Sequence, residues 1–88
     1  MQSNPPNDAQ VLALNAIAAT LADQRLAERF LSLSGLAPPD LKQRAGDCSF
    51  LADFLRFLEG HEPDLLAIAS AISVRPIEIV RARAALEG

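Results

Sequence analysis

The sequence has no tryptophan, no tyrosine and a single cysteine, Cys48. One thiol can neither close an intramolecular disulfide nor found a cysteine-based metal site. There is one histidine, His61, so no second imidazole can complete a transition-metal site. No cofactor or metal is therefore expected. Long apolar runs are also missing: none approaches the roughly 20 residues of a membrane span, and no membrane partner is expected. The stretch Met1-Gln2-Ser3-Asn4-Pro5-Pro6-Asn7-Asp8 lacks a basic n-region, so no secretory signal is predicted. Together these absences point to a soluble, cytoplasmic protein. No segment alternates strictly as a half-buried strand would. The one stretch rich in β-branched residues, Ile72 to Val80, has Pro76 in its middle. A glycine-rich phosphate loop, a catalytic triad pattern and carboxylates paired at a meaningful spacing are all absent, so no enzyme is expected.

What is present is apolar and helical. Eighty-eight residues, half of them hydrophobic, suit one small domain with a well-supplied core. The net charge of −3 and a pI near 4.9 disfavour a general nucleic-acid or anionic-membrane surface. The anchor is Asp47 to Leu58, which holds three of the four phenylalanines. Phe50, Leu51, Phe54, Leu55, Phe57 and Leu58 fall on one broad helical face, with Ser49, Asp53, Arg56 and Glu59 opposite. Asp47 is placed to cap this helix and Gly60 to end it.

Around the anchor the spacing predicts five further helices, the third of them short. Residues 1–7 read as a flexible N-terminal tail and residues 8–88 as a single helical domain. The first helix, capped by Asn7 or Asp8, runs to Ala22; it is apolar nearly all round, with Leu14, Ile17 and Leu21 as its main stripe. Asp23 caps the second, with Leu26, Phe30 and Leu33 on one face and Gly35 at its left-handed end. Pro38 and Pro39 open the short third helix and Gly46 closes it. Pro63 starts the fifth, another all-round apolar stretch, and Ser73 or Arg75 caps the last, which begins near Pro76. Helices one, four and five are expected to supply the core. At a spacing of 36 residues Ser34, Phe30 and Leu14 align with Ser70, Leu66 and Phe50, which is either a pseudo-repeat of helix plus helix-turn-helix units or a chance match.

Four places were weighed as sites. Leu66, Ala67, Ala71, Ile72, Ser73, Ile77 and Val80 resemble the helix-turn-helix pattern of bacterial repressors, with Ala71 where glycine is preferred. In that reading Arg75, Arg81 and Arg83 would face DNA. Glu78 among them, and the lack of asparagine, glutamine or lysine there, leave little with which to read bases, so a nucleic-acid partner is not expected. Glu59-Gly60-His61-Glu62-Pro63-Asp64 gathers an imidazole and three carboxylates, but reads as a solvated helix junction without calcium-loop spacing. Cys48 near a helix start gains from the dipole and loses from Asp47 beside it. The last helix carries two apolar stripes. Ile77, Val80 and Ala84 are expected to face the domain's own core. Ile79, Ala82 and Leu86 are either covered by Leu12, Ala16 and Ala19 of the first helix or left open as an interface for a second copy, a homodimer.

The block Ser34 to Asp47, containing Gly35-Leu36-Ala37-Pro38-Pro39-Asp40-Leu41-Lys42-Gln43-Arg44-Ala45-Gly46-Asp47, is followed by the Phe-Leu helix and Glu62-Pro63-Asp64-Leu65-Leu66. In this the chain resembles a family of short alphaproteobacterial proteins filed as a domain of unknown function. The resemblance implies a small all-helical domain and no activity, and carries no functional residues. The reading is therefore an all-α bundle of five or six short helices. Its expected role is that of a small non-catalytic cytoplasmic interaction or assembly domain, with a protein partner or a second copy of itself; the alternative is a DNA-binding helix-turn-helix regulator over residues 65–86.

Overall fold

Local stop and start signals set most of the helix boundaries. The structure is a computed structural model and describes residues 5–88, the side chains of 5–7 and 38 excepted. Among these residues there are six α-helices and no strand: α1 Pro5–Ala22, α2 Gln24–Ser34, α3 Pro38–Arg44, α4 Cys48–Glu59, α5 Glu62–Ala71 and α6 Pro76–Glu87. Helix α1 begins three residues earlier than Asp8, which lies in its first turn; the rest of the expected tail, residues 1–4, lies outside the described residues. Asp23 Oδ1 accepts the N–H groups of Arg25 and Leu26, and Asp47 Oδ1 those of Ser49 and Phe50. These are N-cap bonds, each satisfying donors that the first helical turn leaves free. Gly35 ends α2 in the left-handed region, φ 73°.

The core forms between α4, α1 and α6, not α4, α1 and α5. Six of α4's side chains are buried: Phe50, Leu51, Ala52, Phe54, Leu55 and Leu58. Phe54 is 1% exposed. Phe30 of α2 meets it edge-on at 5.1 Å and meets Phe57 at 5.2 Å, the arrangement that aromatic quadrupoles favour. Helix α1 is not buried all round. It turns Ala9, Ala13, Ala16, Ile17 and Thr20 inward and leaves Val11, Leu14 and Leu21 exposed. Small residues let α1 approach its neighbours closely, while Thr20 Oγ1 donates to Ala16 O at 2.8 Å, so burial strands no polar atom. In α5, Ile68 and Ala69 point inward and Leu66 stays on the surface.

The last helix reverses the expected stripe assignment. Ile79 is 0% exposed, with Ala82 and Leu86 also buried, whereas Ile77 is 44% exposed and Val80 only half-buried. The turn before α6 explains this. Ser73 is left-handed (φ 61°), Val74 N–H donates to Ala69 O at 2.9 Å and Ser73 N–H to Ser70 O at 3.2 Å, which together make a Schellman ending for α5. Arg75 then occupies the N-cap, and the Glu78 carboxylate accepts its N–H at 2.8 Å. Val74 and Ile79 thus hold the N′ and N4 positions of a hydrophobic staple, and both pack in the core. That pair, rather than Ile77 and Val80, fixes which face of α6 turns inward.

The same device occurs before α3, at a spacing of 38 residues rather than 36. The left-handed residues Gly35 and Ser73, the N-caps Ala37 and Arg75, and the N-caps of the preceding helices, Asp23 and His61, all stand 38 apart. Asp40 accepts the Ala37 N–H at 3.0 Å as Glu78 does that of Arg75, and Leu41 is buried as Ile79 is. In the 36-residue register buried Phe30 would match exposed Leu66, and exposed Leu14 buried Phe50. The repeat therefore covers α2–turn–α3 and α5–turn–α6, and α1 and α4 lie outside it.

Two stability measurements follow from this packing. Phe54→Ala removes the ring at the centre of the aromatic cluster and should cost about 3–5 kcal/mol in a denaturant melt. Ser73→Gly relieves the left-handed penalty and should stabilise the fold by about 0.5–1 kcal/mol, while the β-branched Ser73→Val should destabilise it by about 1–2 kcal/mol.

Candidate interaction surface

Several charged side chains pair with one another within and across the helices. At the shared end of α4 and α6, Arg83 sends Nε to Glu59 Oε2 at 2.6 Å and Nη2 to Glu59 Oε1 at 3.2 Å, a two-pronged pairing, and Nη1 to Glu87 Oε1 at 2.9 Å. Arg56 links Glu87 Oε2 to Asp53, the latter at 2.7 Å. The Arg56 hydrogen bond holds the Glu87 carboxyl below its ordinary value of 4.5; partial desolvation opposes this and the positive charges of Arg56 and Arg83 add to it. Glu59 and Glu87 in turn raise Arg83.

These contacts bear on the helix-turn-helix reading. Arg75 and Arg81 are exposed, but Arg83 is held by Glu59 and Glu87, so the three arginines do not present one free basic face. Ile77, a residue meant to lock the second helix, lies on the surface. Ile79, Ala82 and Leu86, considered above as an interface to a second copy, are core residues covered by α1 and α4. They are not open to another molecule, because the staple at Val74 turns that stripe inward.

The His61 junction forms a compact polar knot. Asp64 is buried, and its Oδ2 lies against Arg29 Nη1 and 3.0 Å from His61 Nδ1. Arg29 of α2 thereby pins the first turn of α5. Both Arg29 and the Nδ1–H tautomer of His61 are donors to the one oxygen, so the 3.3 Å approach between them is a consequence of sharing Asp64. The shallow cavity here, about 150 Å³, is lined by Asp23, Arg25, Leu26, Arg29, His61, Pro63, Asp64 and Ala67, none of which is a serine, threonine, cysteine or lysine nucleophile. Cys48 is half-buried at the other end of α4, which by its 12 residues is about 18 Å long. Its Sγ meets Gln10 Nε2 at 3.1 Å, and it does not pair with His61. Among the described residues no group of three or more His, Cys, Asp or Glu side chains could hold a metal ion, and no helix is long and apolar enough to cross a membrane.

Some apolar side chains, by contrast, stay exposed beside a hollow in the surface. An open cavity of about 320 Å³ runs between α2 and α4, walled by Phe30, Leu36, Phe50, Phe54 and Phe57. Leu33 stands at its rim, 69% exposed, although the sequence places it on the same face as buried Leu26 and Phe30. Arg44 lies over the Phe50 ring at 5.0 Å, giving the groove one cationic edge, and Asp53 lies opposite. Leu33 sits in the last turn of α2, just before the Gly35 turn leads the chain away, so nothing returns to cover it. A mismatch between an apolar helical stripe and an early chain reversal is the sequence signal for this groove, and the stripe alone conceals it.

A family model matches residues 6–88, all of the fold but the first residue of α1. The chain belongs to that family, described as Protein of unknown function (DUF3572). Among curated proteins and among solved structures, nothing matches the chain. The six-helix arrangement described above is thus an all-α fold for a member of this family.

The ion cluster gives the fold an acid limb. Above about pH 5 Glu87 is ionised in both folded and unfolded chains and its stabilising contribution is complete. As pH falls below the ordinary value of 4.5, the unfolded chain takes up the proton first, and the contribution is lost through the lower folded value. Thermal melts should show Tm falling on this limb, and Glu87→Gln should lower Tm above about pH 5 and flatten the fall below it.

Proposed function

We propose that the chain is a small non-catalytic interaction or assembly domain that works in the cytoplasm by holding a protein partner. The observation that carries this reading is the aromatic-walled groove between α2 and α4 with Leu33 exposed at its rim. Surface ion pairs hold the helix ends while apolar side chains face water, a distribution that favours docking of an apolar segment over chemistry on a polar substrate. A groove of this shape suits a short helix or loop presenting one or two apolar side chains, with Arg44 available to an acidic flank.

The test is comparative retention. Wild type and Leu33→Asp, both immobilised after their helicity and melting temperature are shown to match, are offered lysate from the native cell. A protein held by wild type and lost with Leu33→Asp, whose affinity for the purified wild-type domain exceeds that for the variant by tenfold or more, supports the groove. An identical set of retained proteins on both surfaces overturns it.

A further inference from the structure

Helix α1 has a second, outward face that the fold leaves uncovered and uncharged. From Ala9 to Ala22 there is no charged residue, in a chain that is 22% charged. The exposed positions after Asp8 are Val11, Leu14, Asn15, Ala18, Leu21 and Ala22, which span an arc of about 120° at 100° per residue. Within it Val11, Leu14, Ala18 and Leu21 are spaced 3, 4 and 3 apart, the a/d seam of two heptads, and Val11 is 58% exposed. We propose that this seam is a homodimer interface, on which α1 of a second copy packs antiparallel about a two-fold axis; the proposal deepens the assembly reading above and names the partner as the chain itself.

The pattern is complementary to itself. In an antiparallel pair with Val11 opposite the partner's Leu21, Leu14 falls opposite the partner's Ala18, so each leucine faces a smaller apolar residue across the axis. A two-fold interface requires this kind of reciprocal match. Charge singles out the same occupant. A chain of net charge −3 repels its own copies over most of its surface, and this arc lets two copies meet with no like charges opposed. It also offers nothing to a charged partner. A membrane-surface helix would carry Lys or Arg along its polar flank, and this arc has none. A helix pair of this length buries on the order of 800 Å² in total, below the usual size of tight interfaces. The dimer is accordingly expected at micromolar rather than nanomolar concentration.

Sedimentation of the full chain from about 1 to 500 μM should show monomer giving way to dimer, and no larger species. Leu14→Glu with Leu21→Glu, and separately Val11→Glu, should remain monomeric over that range at unchanged helicity, with at least a tenfold rise in the dissociation constant. Register is read by mixing Leu14→Cys with Ala18→Cys in a Cys48→Ser background: the mixture should cross-link faster than either variant alone. Wild type that is monomeric throughout, or a dimer that survives all the glutamate variants, overturns the proposal; fastest cross-linking of Leu14→Cys with itself overturns the antiparallel arrangement. Leu33→Asp should dimerise as wild type does. Loss of groove binding and loss of the dimer are then separate outcomes, and either reading can fall without the other.

Discussion

Helix α4 is covered along so much of its circumference that the other helices are placed by what it offers them. Its six buried side chains meet α1 and α6 on one side, and the Phe54 and Phe57 rings receive Phe30 of α2 on the other. A side chain such as Phe54 carries about 1.5–3 kcal/mol of burial free energy, so two or three such residues equal the net stability of a domain this size. The remaining helices need only modest contacts of their own. Helix α1 meets the core through Ala9, Ala13, Ala16, Ile17 and Thr20, and α3 stays peripheral, with Leu41 as a buried apolar anchor.

Much of this was legible before any coordinates. The caps at Asp23 and Asp47, the left-handed Gly35 and the burial of Phe54 all follow from local rules that depend on a few neighbouring residues. What was not legible was which apolar stripe of a doubly apolar helix turns inward. For α6 the helix-turn-helix template pointed to Ile77 and Val80, while the actual determinant was the Val74–Ile79 staple with Glu78 bonded to the Arg75 N–H. The signal lay in the order Val-Arg-Pro-Ile-Glu-Ile, where proline at N1 fixes the numbering of the helix. For α1 and α5 the reading erred in the same way. A helix that is apolar all round is not buried all round here, because a small bundle has too little interior to enclose every side of six helices. The groove was hidden for a related reason: Leu33 belongs to the right stripe, yet no element lies beyond it.

The 38-residue repeat shows how one local device can serve two different surroundings. In both units a left-handed residue, an apolar N′, an N-cap, a proline and an acidic N3 lead into a buried N4. The second unit is completed by a long helix that enters the core, the first by a helix of seven residues that does not. After N4 the sequences part: Lys42-Gln43-Arg44 is polar where Val80-Arg81-Ala82 continues toward Leu86. The turn fixes direction, and the apolar periodicity beyond it decides whether the helix is used as core.

The distribution of charge completes the argument about what the surface is for. Arg83, Glu59, Glu87 and Arg56 join the ends of α4 and α6, and Arg29 with Asp64 joins α2 to α5. The exposed pair of Arg56 with Asp53 adds little net stability, and the effect of the half-buried pairs is to set where helices end relative to one another. These ion pairs also engage Arg29, Arg56 and Arg83, which leaves those three less available to a phosphate or a carbonyl. The groove beside Leu33 meets these clusters only at its edge, through Asp53 and Phe57, and covering neither it nor the uncharged arc of α1 is needed to complete the core around α4. Apolar surface that the fold does not need, on a chain otherwise charged enough to stay apart from its copies, is a liability unless something covers it. In a domain this small, that makes the two apolar surfaces, rather than the polar knot at His61, the places from which function is best argued.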